Sequence, residues 1–260
     1  MTTDGVLSAI RRVCHSVGVV IAIAAFAGIA AAQPSQPAFT PAQTQALQQI
    51  IHDYILHNPA VVFEALKIQQ QAMAKDREET ARQAIVAKRR ELLADPTSPT
   101  GGNPHGDVTI VEFFDYRCPY CKAIEPSVEA LLKQDPKLRI VYKEFPILGP
   151  ASVFAAEVAL AAQKQGKYIL FHDAMMRTKG NIDDATVLKV ARLAGLDIDR
   201  LKADLDPAAF GTILRRNYEL AVSLNIDGTP GFVIGTDIAD GAADIGELKH
   251  MIADARQSNE

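Results

Sequence analysis

Hydrophobic residues recur along this chain in two rhythms, and the most informative point is where one gives way to the other. From Val108 to Tyr116 (Val-Thr-Ile-Val-Glu-Phe-Phe-Asp-Tyr) β-branched and aromatic residues run almost unbroken, the pattern of a buried strand. From Lys122 to Gln134, apolar Ile124, Val128, Leu131 and Leu132 return at helical spacing. Leu138 to Phe145 alternates again and predicts a second strand, broken by Pro146-Ile147-Leu148-Gly149-Pro150. Helical spacing then holds through 152–165, 167–178, 184–194 and 199–205, punctuated by Gly166, Gly180 and Gly195, and through a longer helix at 207–224. Asp227-Gly228-Thr229-Pro230-Gly231 interrupts the chain before a strand at 232–234, a hairpin through Gly235-Thr236-Asp237, and a closing amphipathic helix with Ile245, Leu248, Met251 and Ile252 on one face.

The region ahead of this block is helical. Thr40 as N-cap, Pro41 at the first helical position and Gln43 completing a capping box open a helix whose stripe is Leu47, Ile50, Ile51, Tyr54 and Ile55. Asn58-Pro59 repeats the signal for a second helix bearing Val61, Val62, Ala65, Leu66, Ile68 and Met73, and the sequence turns strongly polar from Gln69 to Arg90. A helical hairpin this short cannot bury its own stripe, so residues 39–93 are expected to meet a second copy of the chain, with packing against the following domain as the alternative. Asp95 to Pro104 is a breaker cluster and reads as a linker. At the start, Arg11 and Arg12 precede an apolar stretch from Val17 to Ala31, and Ala30-Ala31-Ala32 before Gln33 has the small-residue pattern of a signal cleavage site. That stretch is shorter than the roughly 20 residues of a membrane span. The expected organisation is a signal peptide at 1–32, a helical N-terminal segment at 33–94, a linker at 95–106 and a C-terminal domain at 107–260 with a helical insertion at about 150–206. An uncleaved anchor is the alternative reading of the signal, and the periplasm is the expected compartment.

Nearly half the residues are apolar (48%) and the net charge is −4, enough for a sizeable core and with no basic excess to suggest nucleic acid. The cluster Lys88-Arg89-Arg90 reads as a solvated helical face. Of three cysteines, Cys14 falls within the signal, which leaves Cys118 and Cys121 at the strand-to-helix turn, separated by Pro119 and Tyr120. Two thiols at this spacing can close a small disulfide ring. At a helix N-terminus the unpaired N–H groups and the helix dipole favour a thiolate, and a cysteine so placed has a pKa of roughly 3.5–7.5 against about 8.5 when free. Cys118 is then the nucleophile and Cys121, one turn deeper, the resolving thiol of a redox-active disulfide. A structural zinc site would need two further ligands, which the scattered histidines do not supply, and covalent haem would need a histidine where Lys122 stands. Neither a metal ligand set nor a cofactor is expected. A copper(I)-binding protein using the same two thiolates, and a chaperone gathering clients with its N-terminal helices, are the readings from other functional classes.

The order strand, active-site helix, strand, helical block, helix, strand, hairpin, helix, together with Glu112 to Cys121, Lys143-Glu144-Phe145-Pro146, Phe171-His172-Asp173-Ala174-Met175 and Gly228-Thr229-Pro230, resembles the DsbA family of thiol:disulfide oxidoreductases over about Asp107 to Ala255. Tyr54 to Pro59 with Ala65-Leu66 resembles the N-terminal segment of its ScsC-type and Com1-type members. The resemblance implies an α/β thioredoxin-like fold with an inserted helical subdomain, preceded by an α-helical N-terminal segment. It also implies a cis peptide bond at Pro230, with the Thr229 backbone offered to an extended client peptide, and a buried acid at Glu112 able to relay a proton to or from Cys121. Pairing of Glu112 with Lys143 across the sheet is the other reading of that acid. Tyr120 is expected to tune the redox potential, and His172 to pack or hydrogen-bond within the helical block. The expected partners are secreted client proteins with cysteines and a membrane thiol redox partner, either a reductase or an oxidase. Thr229, Pro119-Tyr120 and the N-terminal segment lean toward a disulfide isomerase or reductase, with a DsbA-like disulfide donor as the alternative.

Overall fold

The computed structural model describes residues 39–241 and 243–258; the expected signal peptide lies outside them. The chain divides into two compact units, one ending at Val61 and one beginning at Val62. In the first, α1 (Pro41–His57) starts with the expected capping box: Thr40 accepts from the Gln43 N–H while the Gln43 side chain accepts from the Thr40 N–H. No residue of α1 is buried. Among the described residues no helix is long and apolar enough to cross a membrane.

The second unit is organised by a five-stranded sheet of β1 (Thr100–Gly102), β2 (Val108–Phe114), β3 (Leu138–Glu144), β4 (Gly231–Ile234) and β5 (Asp237–Asp240), in the order β1-β3-β2-β4-β5. The two strands flanking α4 (Pro119–Gln134) are parallel, because a strand–helix–strand crossover returns the chain in the same direction, and every other pairing is antiparallel. The helical block follows the expected boundaries within two residues: α5 (Pro150–Lys164), α6 (Tyr168–Arg177), α7 (Asp184–Leu193), α8 (Ile198–Asp204) and α9 (Pro207–Ser223), before α10 (Ile245–Ser258) closes the unit. Part of the stretch expected as linker is ordered into the sheet, since Thr100 to Gly102 pair with Val141 to Arg139. Hydrophobicity gave no sign of this strand, because two of its three residues are glycines with no side chain to pack.

Alternation along β2 and β3 divides the core. Ile110, Phe114, Ile140 and Tyr142 face α4 and the helical block, while Val111, Phe113 and Val141 face α9. The second layer also takes in Ile85, near the end of α2 (Ala60–Ala87), and Leu92 of α3 (Arg89–Leu93), so the last turns of the N-terminal segment belong to the core of the second unit. By the same alternation Glu112 and Lys143 project from opposite faces: Glu112 is in register with Tyr142, and Lys143 with Phe113. The expected Glu112–Lys143 pair is therefore corrected. The Lys143 ammonium, fully buried, donates to the Glu91 carbonyl and to Ser98 Oγ, each at 2.7 Å, and lies 3.6 Å from the Asp95 carboxylate. It joins α3 and the turn before β1 to the sheet. Replacing it by alanine leaves the Asp95 carboxylate short of its buried partner, so Lys143→Ala is expected to cost about 3 kcal/mol, read as a lowered midpoint of urea unfolding with unchanged slope.

Candidate active site

Cys118 is the N-cap of α4, with extended backbone (φ −71°, ψ 120°), and Pro119 is the first helical residue, where its missing N–H would have had no intrahelical partner. Asp115 folds the turn that brings Cys118 there. Its carbonyl accepts from the Cys118 N–H at 3.0 Å, Oδ1 accepts from the Arg117 N–H at 2.7 Å and from Ser152 Oγ at 2.8 Å, and Oδ2 accepts from the Leu148 N–H at 3.0 Å. One buried carboxylate thus ties the end of β2 to the segment entering α5.

Both cysteines are free thiols, and their surroundings differ sharply. The thiol of Cys121, the Thr229 side chain and the N–H groups of Cys121 and Tyr120 point hydrogens at Cys118; they outweigh its partial burial and bring its pKa down to about 5. In the protonated form Cys118 Sγ donates to the Thr229 carbonyl at 3.1 Å. Cys121 is fully buried. Desolvation first, then the hydrogen bond it gives to Cys118 and the nearby Glu112 charge, push its thiol far above the ordinary range, so it keeps its proton.

Below the pair, Glu112 is fully buried and neither of its carboxylate oxygens has a hydrogen-bond partner. Burial, then the charges of Glu125 and Glu144, raise its pKa well above that of an ordinary glutamate. The Thr229–Pro230 peptide bond is cis. Thr229 and Pro230 are both buried, whereas Pro119 and Tyr120, the dipeptide between the sulfurs, are exposed. Beside Pro119 a cleft of about 760 Å³ opens between α4 and the loop after α6.

The structure therefore gathers Cys118, Cys121, Glu112, Pro119, Tyr120, Thr229 and Pro230 at one end of the sheet. Sequence reasoning missed two neighbours. Asp115 carries a turn signature in its position at the strand end. Lys122 carries none: its Nζ donates to the carbonyls of Met175 (2.7 Å) and Thr178 (2.8 Å), and burial lowers its pKa to about 8. His172 sits within hydrogen-bonding and ring-packing reach of its neighbours, with Nδ1 3.3 Å from the Tyr116 hydroxyl and its ring edge-on to Phe114.

A DSBA-like thioredoxin domain model matches residues 109–253. A thioredoxin-like oxidoreductase from Silicibacter pomeroyi DSS-3 is 43% identical, with a TM-score of 0.63 over 65% of this chain and 98% of that one. ScsC of Proteus mirabilis is 28% identical, with a TM-score of 0.63 over 85% of this chain and all of that one. A periplasmic thioredoxin-like protein from Salmonella enterica serovar Typhimurium is also 28% identical, with a TM-score of 0.59 over 65% of this chain and 95% of that one. Two curated relatives, Na(+)/H(+) antiporters of Salinispora arenicola and Salinispora tropica, match at 30% and 31% identity over 59% and 51% of the chain, and the chain spans only 24% and 21% of their lengths.

Cys118 is more acidic folded than unfolded, where a thiol has a pKa near about 8.5. The stability it gives the reduced protein is complete above the unfolded value and is lost as pH falls through about 5. Alkylation of the reduced protein by iodoacetamide is accordingly expected to rise with pH to half its maximum near about 5 at Cys118, with Cys121 unmodified. A half-point near 8.5 would show that the helix N-terminus does not ionise this thiol.

Proposed function

The chain belongs to the DsbA-like thioredoxin-domain family, and from that footing we propose that it is an exported thiol:disulfide oxidoreductase acting on secreted client proteins, with disulfide isomerase or reductase as its working direction. The observation that carries this reading is the opposed acidity of two sulfurs one helical turn apart: Cys118 ionised near neutral pH, Cys121 sealed and protonated.

The Cys118 thiolate attacks one sulfur of a client disulfide. An S–S bond forms between Cys118 and the client, the client's own S–S bond breaks, and the departing sulfur leaves as a thiolate that takes up a proton. Two outcomes follow. A second client thiolate attacks the client sulfur of the mixed disulfide, which yields a rearranged client disulfide and returns the Cys118 thiolate. Alternatively Cys121 loses its proton and attacks Cys118 Sγ, releasing a reduced client and leaving the pair oxidised by two electrons. Glu112 is the proton acceptor for that second route, because its unpartnered carboxylate lies close enough to act on Cys121 and burial raises its affinity for protons above that of an ordinary glutamate. The Thr229 backbone, already within 3.1 Å of Cys118 Sγ, is the edge along which an extended client segment pairs. A membrane thiol reductase restores the dithiol.

Support for the isomerase direction comes from the N-terminal segment. Ile50, Ile51 and Tyr54 of α1, with Leu66 and Ile68 of α2, are each more than half exposed. Exposed apolar side chains on each of these helices suit contacts with a second copy of the chain, and the likeness to ScsC extends over more of the chain than the family domain does. Several thiol pairs in one assembly suit the rearrangement of clients holding more than one wrong disulfide.

Cys118→Ala is expected to abolish both refolding of scrambled ribonuclease and oxidation of reduced ribonuclease without altering the far-ultraviolet circular dichroism. The unsubstituted protein should be the faster in the scrambled assay, and faster oxidation of the reduced substrate would reverse the assigned direction. Deleting residues 39–78 spares Arg82, Ile85 and Leu92, which hold the end of the helical segment to the rest of the second unit. It is expected to reduce the molar mass measured by light scattering to that of a single chain, and a mass lowered only by the deleted residues would rule out assembly through this segment.

A further inference from the structure

On the flank of α4 that faces α6, a second group of side chains converges without a role in thiol exchange. Glu125 and Glu129 lie four residues apart and so share one face of α4, while His172 and Asp173 are adjacent on α6. One carboxylate oxygen from each of Glu125, Glu129 and Asp173 lies within 4.8 Å of the others. His172 Nε2 stands 3.6 Å from Glu125 Oε1. Glu125 is 3% exposed and His172 is fully buried, yet Glu125 Oε2 and His172 Nε2 have no hydrogen-bond partner.

Hydrogen-bonding groups converge behind the imidazole. Tyr168 and Tyr116 both donate to Glu144 Oε1, at 2.7 and 3.2 Å. The Tyr116 hydroxyl also lies 3.3 Å from His172 Nδ1, and a neutral imidazole that carries its hydrogen on that nitrogen presents a bare lone pair at Nε2. That lone pair faces a carboxylate oxygen. A bare imidazole nitrogen and a carboxylate oxygen opposed at a buried position are stabilised by a positive centre between them. Their 3.6 Å separation is too long for a shared proton. It is close to the roughly 3.4 Å that separates two ligands, each about 2.1 Å from one ion in near-tetrahedral geometry.

We propose that the carboxylates of Glu125, Glu129 and Asp173, with His172 Nε2 beside Glu125, form a binding site for a divalent first-row transition cation. One imidazole nitrogen with three carboxylates suits zinc, manganese or iron(II); calcium and magnesium favour oxygen alone, and copper(I) favours sulfur. The Tyr116 hydroxyl on Nδ1 is the outer-shell contact that orients such a histidine. Arg177 at present holds the open side, ion-paired with Glu129 and 3.7 Å from Asp173 Oδ2. Its side chain is 60% exposed, so it swings into water at little cost when a doubly charged ion takes the carboxylates. The cleft beside Pro119 is lined by Glu125, Glu129 and Arg177 and supplies the entry path. An ion here fastens α4 to α6 one turn below Cys121.

The test uses the full chain with Cys118→Ser and Cys121→Ser, so that the active-site thiolates cannot hold the metal. Titration calorimetry with Zn²⁺ is expected to show one saturable site, and Co²⁺ to give the visible absorption of a nitrogen- and oxygen-ligated ion. Asp173→Asn and Glu129→Gln, at partly exposed positions, are each expected to weaken Zn²⁺ binding by at least about tenfold, the scale of losing even an outer-shell contact. Arg177→Ala is expected to tighten it. Absence of saturable binding, or equal affinity in the Asp173→Asn and Glu129→Gln chains with unchanged thermal unfolding, would overturn the site.

Discussion

The N-terminus of α4 puts two sulfurs one turn apart into opposite electrostatic surroundings, and the chemistry proposed for the chain depends on that contrast being held rigidly. Donors converge on Cys118, from the first turn of the helix and from Thr229 across the gap. Carboxylate charge and dry packing converge on Cys121. The contrast persists because α4 is clamped to the sheet: Val128 and Leu131 bury against the layer that contains Ile110 and Phe114, while Asp115 fixes the turn ahead of the helix. Lifting α4 by even one turn would wet Cys121, remove its desolvation and bring the two acidities together.

The strand alternation that builds this clamp also sorts the buried charges. Glu112 and Glu144 occupy the layer facing α4, whereas Lys143, between Tyr142 and Glu144 in sequence, emerges on the other face. The two acids are then treated differently. Glu144 accepts hydrogen bonds from Tyr116 and Tyr168, which makes it a structural centre for the aromatic cluster around His172. Glu112 has no such partners. A buried carboxyl without hydrogen bonds is unfavourable for folding, and departures of this kind from the rules of a well-packed core concentrate at functional positions. The difference between these neighbours, more than burial alone, is what supports the proton-handling role proposed for Glu112.

Strands, helices and most of the reactive end were legible in the sequence, and the reasons are local. The strand at 108–114 has a long β-branched and aromatic run, the helices have clear caps and glycine stops, and the Cys118–Cys121 spacing at a strand–helix junction has few other meanings. What escaped depends on contacts between distant segments. The glycine-rich β1 has no hydrophobic signature and exists because β3 offers it an open edge. The separation of Glu112 from Lys143 depends on strand register, which neither residue specifies alone. Lys122 looks like any surface lysine in the sequence, although its ammonium is held by the last carbonyls of α6. The cluster of Glu125, Glu129, His172 and Asp173 draws on two helices separated by the whole of β3 and α5, with no spacing motif to announce it.

Those last two cases point to how the helical insertion is attached. The C-terminal ends of α-helices carry partial negative charge on their unpaired carbonyls, and a lysine placed there is favoured. Lys122 from α4 satisfies the end of α6 in this way, one turn beyond it Glu125 meets His172, and one turn further Glu129 meets Arg177. Three successive turns of the helix that carries the thiols are therefore gripped by polar contacts to a single helix of the insertion. The contacts change sign along α4, from the Lys122 cation to the Glu125 and Glu129 anions, so they hold the register of the two helices as well as their distance: a shift by one turn would leave the end of α6 without a donor. In this arrangement the insertion is more than a lid over the sheet, since it sets the height of α4 and with it the depth of Cys121 below the surface.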